Sequence, residues 1–423
     1  MNHYATEMFI NHAGRHYWFA KKLEQRGYSP TVFTASSFHN KPEGIDTEGK
    51  RFKIIYTDDT PFVFVRVTPS TGNGFARIRN MLQFFFRLFP TAKSYAATCG
   101  KPDVIIGSSV HPLTMVAALL IARRMKVPCI CEIRDLWPEA IFTFGKTKPN
   151  SLLGRILTAG EHWIYRKADA LIFTKEGDTD YIKEKRWDTD HGGDVDLAKC
   201  HYINNGVDIP AYDLSISTQT MRDSELDDPD AFNVVYAGII RPVNNVGNLL
   251  DTAALLKGYP RIRFLIYGDG DQLPQLRQRV KDEHLTNVSL KGHVERRFIP
   301  YILSRSSVNI LNYSQNQFNW TRGNSSNKLF EYLASGKPVI STVRMGYSII
   351  NRWKCGFETE QCTARSLADA ILRIYSMPEE QYRQLGINAR TAAMQFDFER
   401  LTDRLVSVID SVTDDTTAHT VSR

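Results

Sequence analysis

Short apolar runs alternate with stretches of helical period through most of the 423 residues. TVFTA (31–35), FVFVRV (62–67), DVIIGSS (103–109), PCICEI (128–133), ALIFT (170–174) and CHYIN (200–204) predict strands. The intervening periods predict helices over 16–26, 112–125 and 152–167. Strands that alternate with helices of 10–15 residues imply right-handed βαβ units and a parallel sheet. The pattern stops at 209–231, IPAYDLSISTQTMRDSELDDPDA, which is polar, acidic and without period, and so predicts a linker. It restarts with FNVVYAG (232–238), RIRFLIYG (261–268), VSLKG (288–292), SVNILN (307–312) and KPVIS (337–341). An α/β fold of two similar units follows: a first domain over 1–208, the linker 209–231 and a second domain over 232–390. A helical stretch at 391–412, with apolar positions from Ala393 to Ile409, leads into a polar tail ending at 423. Only residues 1–5 precede the region of the first glycine turn. Either the first strand is short and irregular or the true start lies upstream.

Composition changes this picture little. Hydrophobic residues make up 42% and charged residues 23%, ordinary globular values. No run of 18 apolar residues suggests a transmembrane helix, and the polar N-terminus does not read as a signal peptide. Six scattered cysteines include Cys129 and Cys131, placed by alternation on one face of a strand. No second pair stands at metal-ligand spacing, so no zinc site is expected, and reduced thiols suit a cytoplasmic protein. The formal charge of +7 is concentrated in residues 1–100, which hold 13 Lys+Arg against 7 Asp+Glu. Within FARIRNMLQFFFRLFPTAK (75–93), Arg77, Arg79, Arg87 and Lys93 interleave with Phe75, Phe84, Phe85, Phe86 and Phe89. Three consecutive phenylalanines cannot all face one core. The segment is therefore expected to lie on an anionic membrane surface, rings at the acyl boundary and cations at the headgroups, the alternative being a helix packed on its own domain with ordinary exposed arginines. No recognised reading element accompanies the basic residues, so no nucleic-acid partner is expected.

Five motifs carry candidate chemistry. Gly14 opens a helix in GRH (14–16), where backbone N–H groups can approach a phosphate, or where the glycine simply makes a turn. In CEIRDLWPE (131–139), Arg134 and Asp135 fall just past the end of a buried strand, where open α/β sheets place ligands. Asp135 can take a proton from an acceptor hydroxyl; Arg134 can bind a phosphate or pair with Asp135. His111, after the preceding strand, is a second candidate base or a capping residue. In NVVYAGIIRPVNNVGNLL (233–250), a strand ends at Gly238, and Arg241 sits where a diphosphate can be held. Gly268 and Gly270 in IYGDGDQLPQL (266–276) permit close backbone approach but lack the third glycine of a dinucleotide fingerprint. The most specific motif is GNSSNKLFEYLASGKPVIST (323–342). A helix starts near Ser326 or Asn327 with Lys328 in its first turn, opposing the helix dipole unless an anion binds there. Glu331, one turn on, can accept both hydroxyls of a ribose; alternatively Lys328 snorkels to solvent and Glu331 forms a surface pair. The D-x-D triplets (Asp178/Asp180, Asp188/Asp190, Asp194/Asp196, Asp228/Asp230, Asp269/Asp271) read as solvated acid clusters, with no metal required. G-x-S-x-G and G-x-x-x-x-G-K-[ST] are absent, which removes the hydrolase and P-loop readings.

On RHYWFAKKLEQRGY (15–28), IRDLWPE (133–139), NNGVD (204–208), YAGIIR (236–241), YGDG (267–270) and NKLFEYLASGKPVI (327–340), nearly the whole chain resembles the GT4 family of retaining glycosyltransferases. It looks most like bacterial L-fucosamine and N-acetylhexosamine transferases of surface-polysaccharide assembly. The resemblance implies a GT-B fold, two Rossmann-like parallel-sheet domains facing across a cleft, with the 391–423 segment crossing back to the N-domain. It implies a nucleotide-sugar donor, with UDP as the nucleotide, no required cofactor or metal, and a lipid-linked saccharide acceptor at the cytoplasmic face of the membrane. Donor-binding positions would be Gly14, Gly238, Arg241, Gly268, Asn327, Lys328 and Glu331. Arg241 and Lys328 would neutralise the leaving diphosphate, while Asp135 and His111 would lie on the acceptor side.

Two departures stand out. Position 323 is Gly where many family members carry a Glu that grips the donor sugar, and PVNNVGN after Arg241 lacks a lysine that often follows. Alternatives are a membrane-docked GT-B-like binding protein without catalysis, or a GT-B-type sugar-nucleotide epimerase or hydrolase.

Overall fold

A computed structural model describes residues 1–72, 74–143, 145, 147–314 and 318–421. The chain divides into two compact units, Met1–Asn204 with Leu401–Arg423, and Asn205–Arg400.

The first unit carries β1 (Val32–Ala35), β2 (Phe52–Thr57), β3 (Thr60–Val65), β4 (Ile105–Ser108), β5 (Cys129–Ile133), β6 (Ala170–Phe173) and β7 (Cys200–Tyr202). β1 runs parallel to β3, β2 is its antiparallel hairpin partner, and β4 to β7 form a parallel set in chain order. Residues 1–3 lie between the two sets. The N-terminal amine donates to Ile106 O at 2.7 Å, and Ser108 N–H donates to Met1 O at 2.9 Å. On the other side Asn2 N–H donates to Phe33 O at 2.9 Å and Ala35 N–H to His3 O at 3.2 Å. Residues 1–3 thus occupy the first-strand position of the expected Rossmann-like domain, in a segment too short to show a period. With that segment counted first, the parallel strands follow the order 3-2-1-4-5-6 of doubly wound nucleotide-binding sheets, with β7 added as a seventh strand at the edge, and such sheets bind ligands where the order reverses.

The second unit repeats the arrangement with β8 (Phe232–Ala237), β9 (Ile262–Tyr267), β10 (Val288–Gly292), β11 (Val308–Leu311), β12 (Val339–Ser341) and β13 (Gly356–Glu358). All six are parallel in the order β10-β9-β8-β11-β12-β13, again 3-2-1-4-5-6, with the reversal between β8 and β11. These strands read as continuous apolar runs because helices cover both faces of such sheets. All five residues of β5 are buried, including Glu132.

Three expectations need correction. The segment 209–231 begins as the helix Ile209–Thr218, capped by Asp208, and its Leu226 is buried. Asp223 and Glu225 both hold Lys291 of β10, so charge, not apolar period, binds this stretch to the second unit. The stretch 391–412 contains the end of helix Glu379–Gln395 and the start of helix Phe398–Val421, whose residues from Leu401 on belong to the first unit. The last two residues of the expected tail lie outside the described residues. Not every D-x-D acid is solvated: Asp178, in the first turn of helix Asp178–Glu184, and Asp188, bonded to His191, are buried. Among the described residues no His, Cys, Asp and Glu gather in a group able to hold a metal ion.

The segment 75–93 lies in the helix Phe75–Cys99. Phe84 and Leu88 enter the core, Phe85 and Phe89 pack at its margin, and Phe86 points outward, so the three phenylalanines do part. No helix among the described residues is long and apolar enough to cross a membrane.

Candidate functional site

At the reversal point of the second unit, the loop after β8 carries Gly238 and Arg241, the helix Asn327–Ala334 carries Asn327, Lys328 and Glu331, and the two elements meet where Gly238 faces Lys328. Asn312, just past β11, ties that loop down by donating to Asn244 O and Asn245 O at 2.7 Å each. Lys328 is half-buried, with Nζ 5.0 Å from the Tyr236 ring centroid and 4.5 Å from that of Tyr313. Its ammonium approaches Tyr236 Oη at 3.4 Å. With the Asn244 amide oriented so that Nδ2 donates to Ile239 O, Oδ1 accepts from Lys328 Nζ at 2.9 Å. No carboxylate pairs with this ammonium among the described residues. Burial pulls its pKa down to about 7, against the opposing charge of Glu331. The helix carrying it has no side-chain cap, and the N–H groups of Asn327 and Lys328 find no acceptor among the described residues. Three kinds of positive potential thus meet: a desolvated ammonium, orphan amides and a helix dipole.

The remaining predicted residues of this edge divide. Arg241 is exposed, and its guanidinium makes no hydrogen bond or ion pair among the described residues. Glu331 is not open: it accepts from Arg296 Nη2 at 2.9 Å, a partner outside the motif. Gly238 faces the lysine, since a Cβ there would stand 2.9 Å from Lys328 Cδ. Gly268 has a different reason to be glycine. Its φ is +147°, and a Cβ would fall 1.8 Å from Gly238 O, because the loops after β8 and β9 pair backbone to backbone. Close packing between these loops, not ligand approach, accounts for it.

The corresponding edge of the first unit centres on a residue that the motifs did not single out. Glu132 is a buried carboxylate inside β5; it accepts from Arg15 Nε at 2.6 Å, Ser108 Oγ at 2.6 Å and His16 Nε2 at 3.2 Å. Burial alone would raise its pKa, but Arg15 and His16 outweigh that and hold it well below the usual carboxylate range. Arg15, 2% exposed, also donates to Asn204 O at 2.5 Å and Ile203 O at 2.9 Å. The GRH motif therefore anchors a helix start to the carboxyl ends of several strands. Gly14, at φ +98°, is its N-cap. A lone acid inside an apolar strand run was the available signal, since such an acid is almost never buried unpaired.

His111 and Asp135 emerge as engaged groups. His111 is buried, and its Nε2 lies 2.5 Å from Nδ1 of His3, another residue without a motif signal. Burial, with Arg77 adding repulsion, drops its pKa to about 3, so it is a weak base. Asp135 is exposed and accepts from Lys175 Nζ at 3.3 Å. Its neighbour Arg134 is not its partner.

Two Rossmann-like units of parallel sheet, each with polar groups gathered at the reversal of strand order, define the GT-B fold. Residues 15–191 match the family described as Glycosyl transferase 4-like domain, and residues 217–392 match Glycosyl transferases group 1. The two matches fall one on each unit of this GT-B fold. The putative teichuronic acid biosynthesis glycosyltransferase TuaH of Bacillus subtilis (strain 168) is 27% identical over 218 residues, 50% of each chain. The chain thus spans about half the length of this curated relative. Among solved structures, α,α-trehalose 6-phosphate synthase from Burkholderia multivorans superposes with TM-score 0.71 at 14% identity, covering 98% of both chains. Sucrose-phosphate synthase from Thermosynechococcus elongatus gives 0.69 at 16% identity, over 95% of this chain and 94% of that one. Anabaena Alr3699/HepE in complex with UDP and glucose gives 0.63 at 16%, covering 96% of each. At such identities these likenesses establish the fold.

Proposed function

We propose that the protein is a retaining glycosyltransferase. It moves an N-acetylhexosamine or deoxy-amino sugar from a UDP-sugar to a lipid-linked or saccharide acceptor in surface-polysaccharide assembly. One observation carries the reading: Lys328 is a half-buried ammonium without a carboxylate partner, set at a helix start where a nucleotide-binding sheet reverses its order. A cation so placed is stabilised by a diphosphate. The HepE complex with UDP and glucose supports the donor class, and the described role of TuaH supports the pathway class.

In this reading the anomeric C–O bond to the diphosphate breaks while the acceptor oxygen bonds to the same face of that carbon. The acceptor proton passes to the departing phosphate oxygen. Lys328 and Arg241 stabilise the charge that develops there, the term that dominates such reactions, and no metal is required. A separate base is unnecessary, which suits the weak basicity of His111 and the pairing of Asp135 with Lys175. Asn327 supplies a backbone donor, and Glu331 reaches the ribose by sharing or releasing Arg296.

The same reading sets the first unit on the anionic inner face of the cytoplasmic membrane. Phe75 (81% exposed), Ile78 (54%), Leu82 (41%) and Phe86 (64%) form one stripe of the helix Phe75–Cys99, and Arg79 and Arg87 line the same shallow groove. This is the pattern of an interfacial helix.

The test is a thermal-shift and turnover screen against UDP, GDP and a panel of UDP-sugars, with and without EDTA. A UDP-specific shift with EDTA-resistant release of UDP from one N-acetylhexosamine donor is expected. No shift with any nucleotide, on protein shown to be folded, would overturn the reading.

A further inference from the structure

The carboxyl edge of the first unit holds a cation that the proposed reaction leaves unused. Arg134 follows β5, and both neighbouring strands fix its backbone: its N–H donates to Ser109 Oγ at 2.9 Å, and its carbonyl accepts from Thr174 Oγ1 at 3.1 Å. The side chain is half-buried, yet its guanidinium has no hydrogen bond or ion pair among the described residues. The acids around it have settled their charges elsewhere. Glu132 takes Arg15 and His16, and Asp135 takes the buried Lys175. Arg134 is also close enough to bear on its cationic neighbours: after burial itself, its charge helps to depress the pKa of both Arg15 and His16. A partly desolvated guanidinium whose neighbouring carboxylates are already paired with other cations is unfavourable in isolation, and an anion relieves it. Its planar fork matches the two oxygens of a phosphate.

The geometry points to a phosphate-binding site on Arg134 that receives the phosphate of a phosphate-linked saccharide acceptor. The acceptor assignment rests on the transferase reading; the binding of a phosphate does not. Donor diphosphate is the other source of the same chemistry. The acceptor is favoured because Lys328 and Arg241, in the other unit, already serve the donor in that reading.

Inorganic pyrophosphate titrated calorimetrically into the full chain, with and without saturating UDP, separates the sources. Wild-type protein is expected to bind pyrophosphate when UDP is present. Arg134→Gln is expected to weaken that binding at least tenfold and to leave UDP affinity unchanged. Arg134→Lys, which keeps the charge and loses the fork, should fall between them, and the melting temperature of each variant confirms its fold. The proposal fails if UDP-saturated wild type takes no pyrophosphate, or if Arg134→Gln binds it as wild type does. It fails equally if the substitution weakens UDP itself, which would assign Arg134 to the donor. Pyrophosphate binding that depends on Arg134 in a chain that ignores UDP would sink the transferase reading and leave this site standing.

Discussion

Lys328 concentrates what a single residue contributes here. Burial lowers its pKa to about 7, so near neutrality it stands half protonated, and a bound diphosphate will restore the proton. UDP binding should therefore take up protons, visible as binding heats that depend on buffer ionisation enthalpy. UDP affinity should be level below pH 7 and decline above it, by up to tenfold per pH unit. A flat profile from pH 6 to 9 would remove Lys328 from the diphosphate. The stability sign is opposite. Because the folded pKa lies below the unfolded value, this group's contribution is fully present above about 10.5 and is lost as pH falls toward 7. Lys328→Ala should lower kcat by about 10²–10³-fold, the usual loss when one donor to a developing anion is removed, with the melting temperature preserved. Steady-state kinetics on the donor found in the screen would check it. Lys328, Arg241 and Gly238 could be singled out in the sequence because each stands at a local junction, a strand end, its loop or a helix start, although the meeting of that loop with that helix start could not be read there. His3 beside His111, and Arg296 on Glu331, were not, because those partners are far apart in sequence and have no period between them.

At the level of elements, the buried Glu132 joins helix Arg15–Gln25 to β4 and β5. Removing one member of a buried ion pair leaves an uncompensated charge, at a cost of about 3–5 kcal/mol. Arg15→Leu should destabilise the first unit by that amount in urea unfolding followed by tryptophan fluorescence. A change below about 1 kcal/mol would show that the pair is not structural. Because the carboxyl of Glu132 is held well below its ordinary value, its stabilisation is present above the ordinary carboxylate range and disappears only in strong acid. The helix Phe75–Cys99 makes the opposite kind of prediction. Its exposed stripe stabilises nothing internal, so Phe75→Ser with Phe86→Ser should leave the melting temperature unchanged. Vesicle binding should weaken, with each ring worth roughly 1.5–3 kcal/mol if fully buried in the interface. Co-sedimentation with vesicles rich in anionic lipid measures this, and undiminished pelleting of the double variant would refute the docking helix. Periodicity revealed this helix and most strands. It could not reveal β2 and β13, which are short or half-exposed, nor the helix Ile209–Thr218 inside a polar segment.

For the whole molecule, the C-terminal helix decides what constitutes the first unit. Leu401, Leu405, Val408 and Ile409 are buried, and Arg26 pairs with Asp403 at 2.6 Å. A chain ending at residue 400 should lose several kcal/mol of apolar burial from that unit, at about 1.5–3 kcal/mol per buried side chain. Its calorimetric transition should drop or vanish while UDP binding by the second unit persists; a full-length melting profile would contradict the assignment. By itself the sequence determined the class of fold, two repeated α/β units, because alternating apolar runs and helical periods are local properties set by neighbours a few residues apart. It also supplied the residues of the proposed diphosphate site, which stand at one strand end and one helix start. Only the tertiary structure decided that residues 1–3 bridge two sets of strands, that Gly268 answers to a neighbouring carbonyl, that Glu132 is the hub of the first unit and that the Arg134 guanidinium has no partner among the described residues. Each of these depends on atoms brought together from distant parts of the chain, and hydrogen bonding and charge pairing at that range leave no period to read.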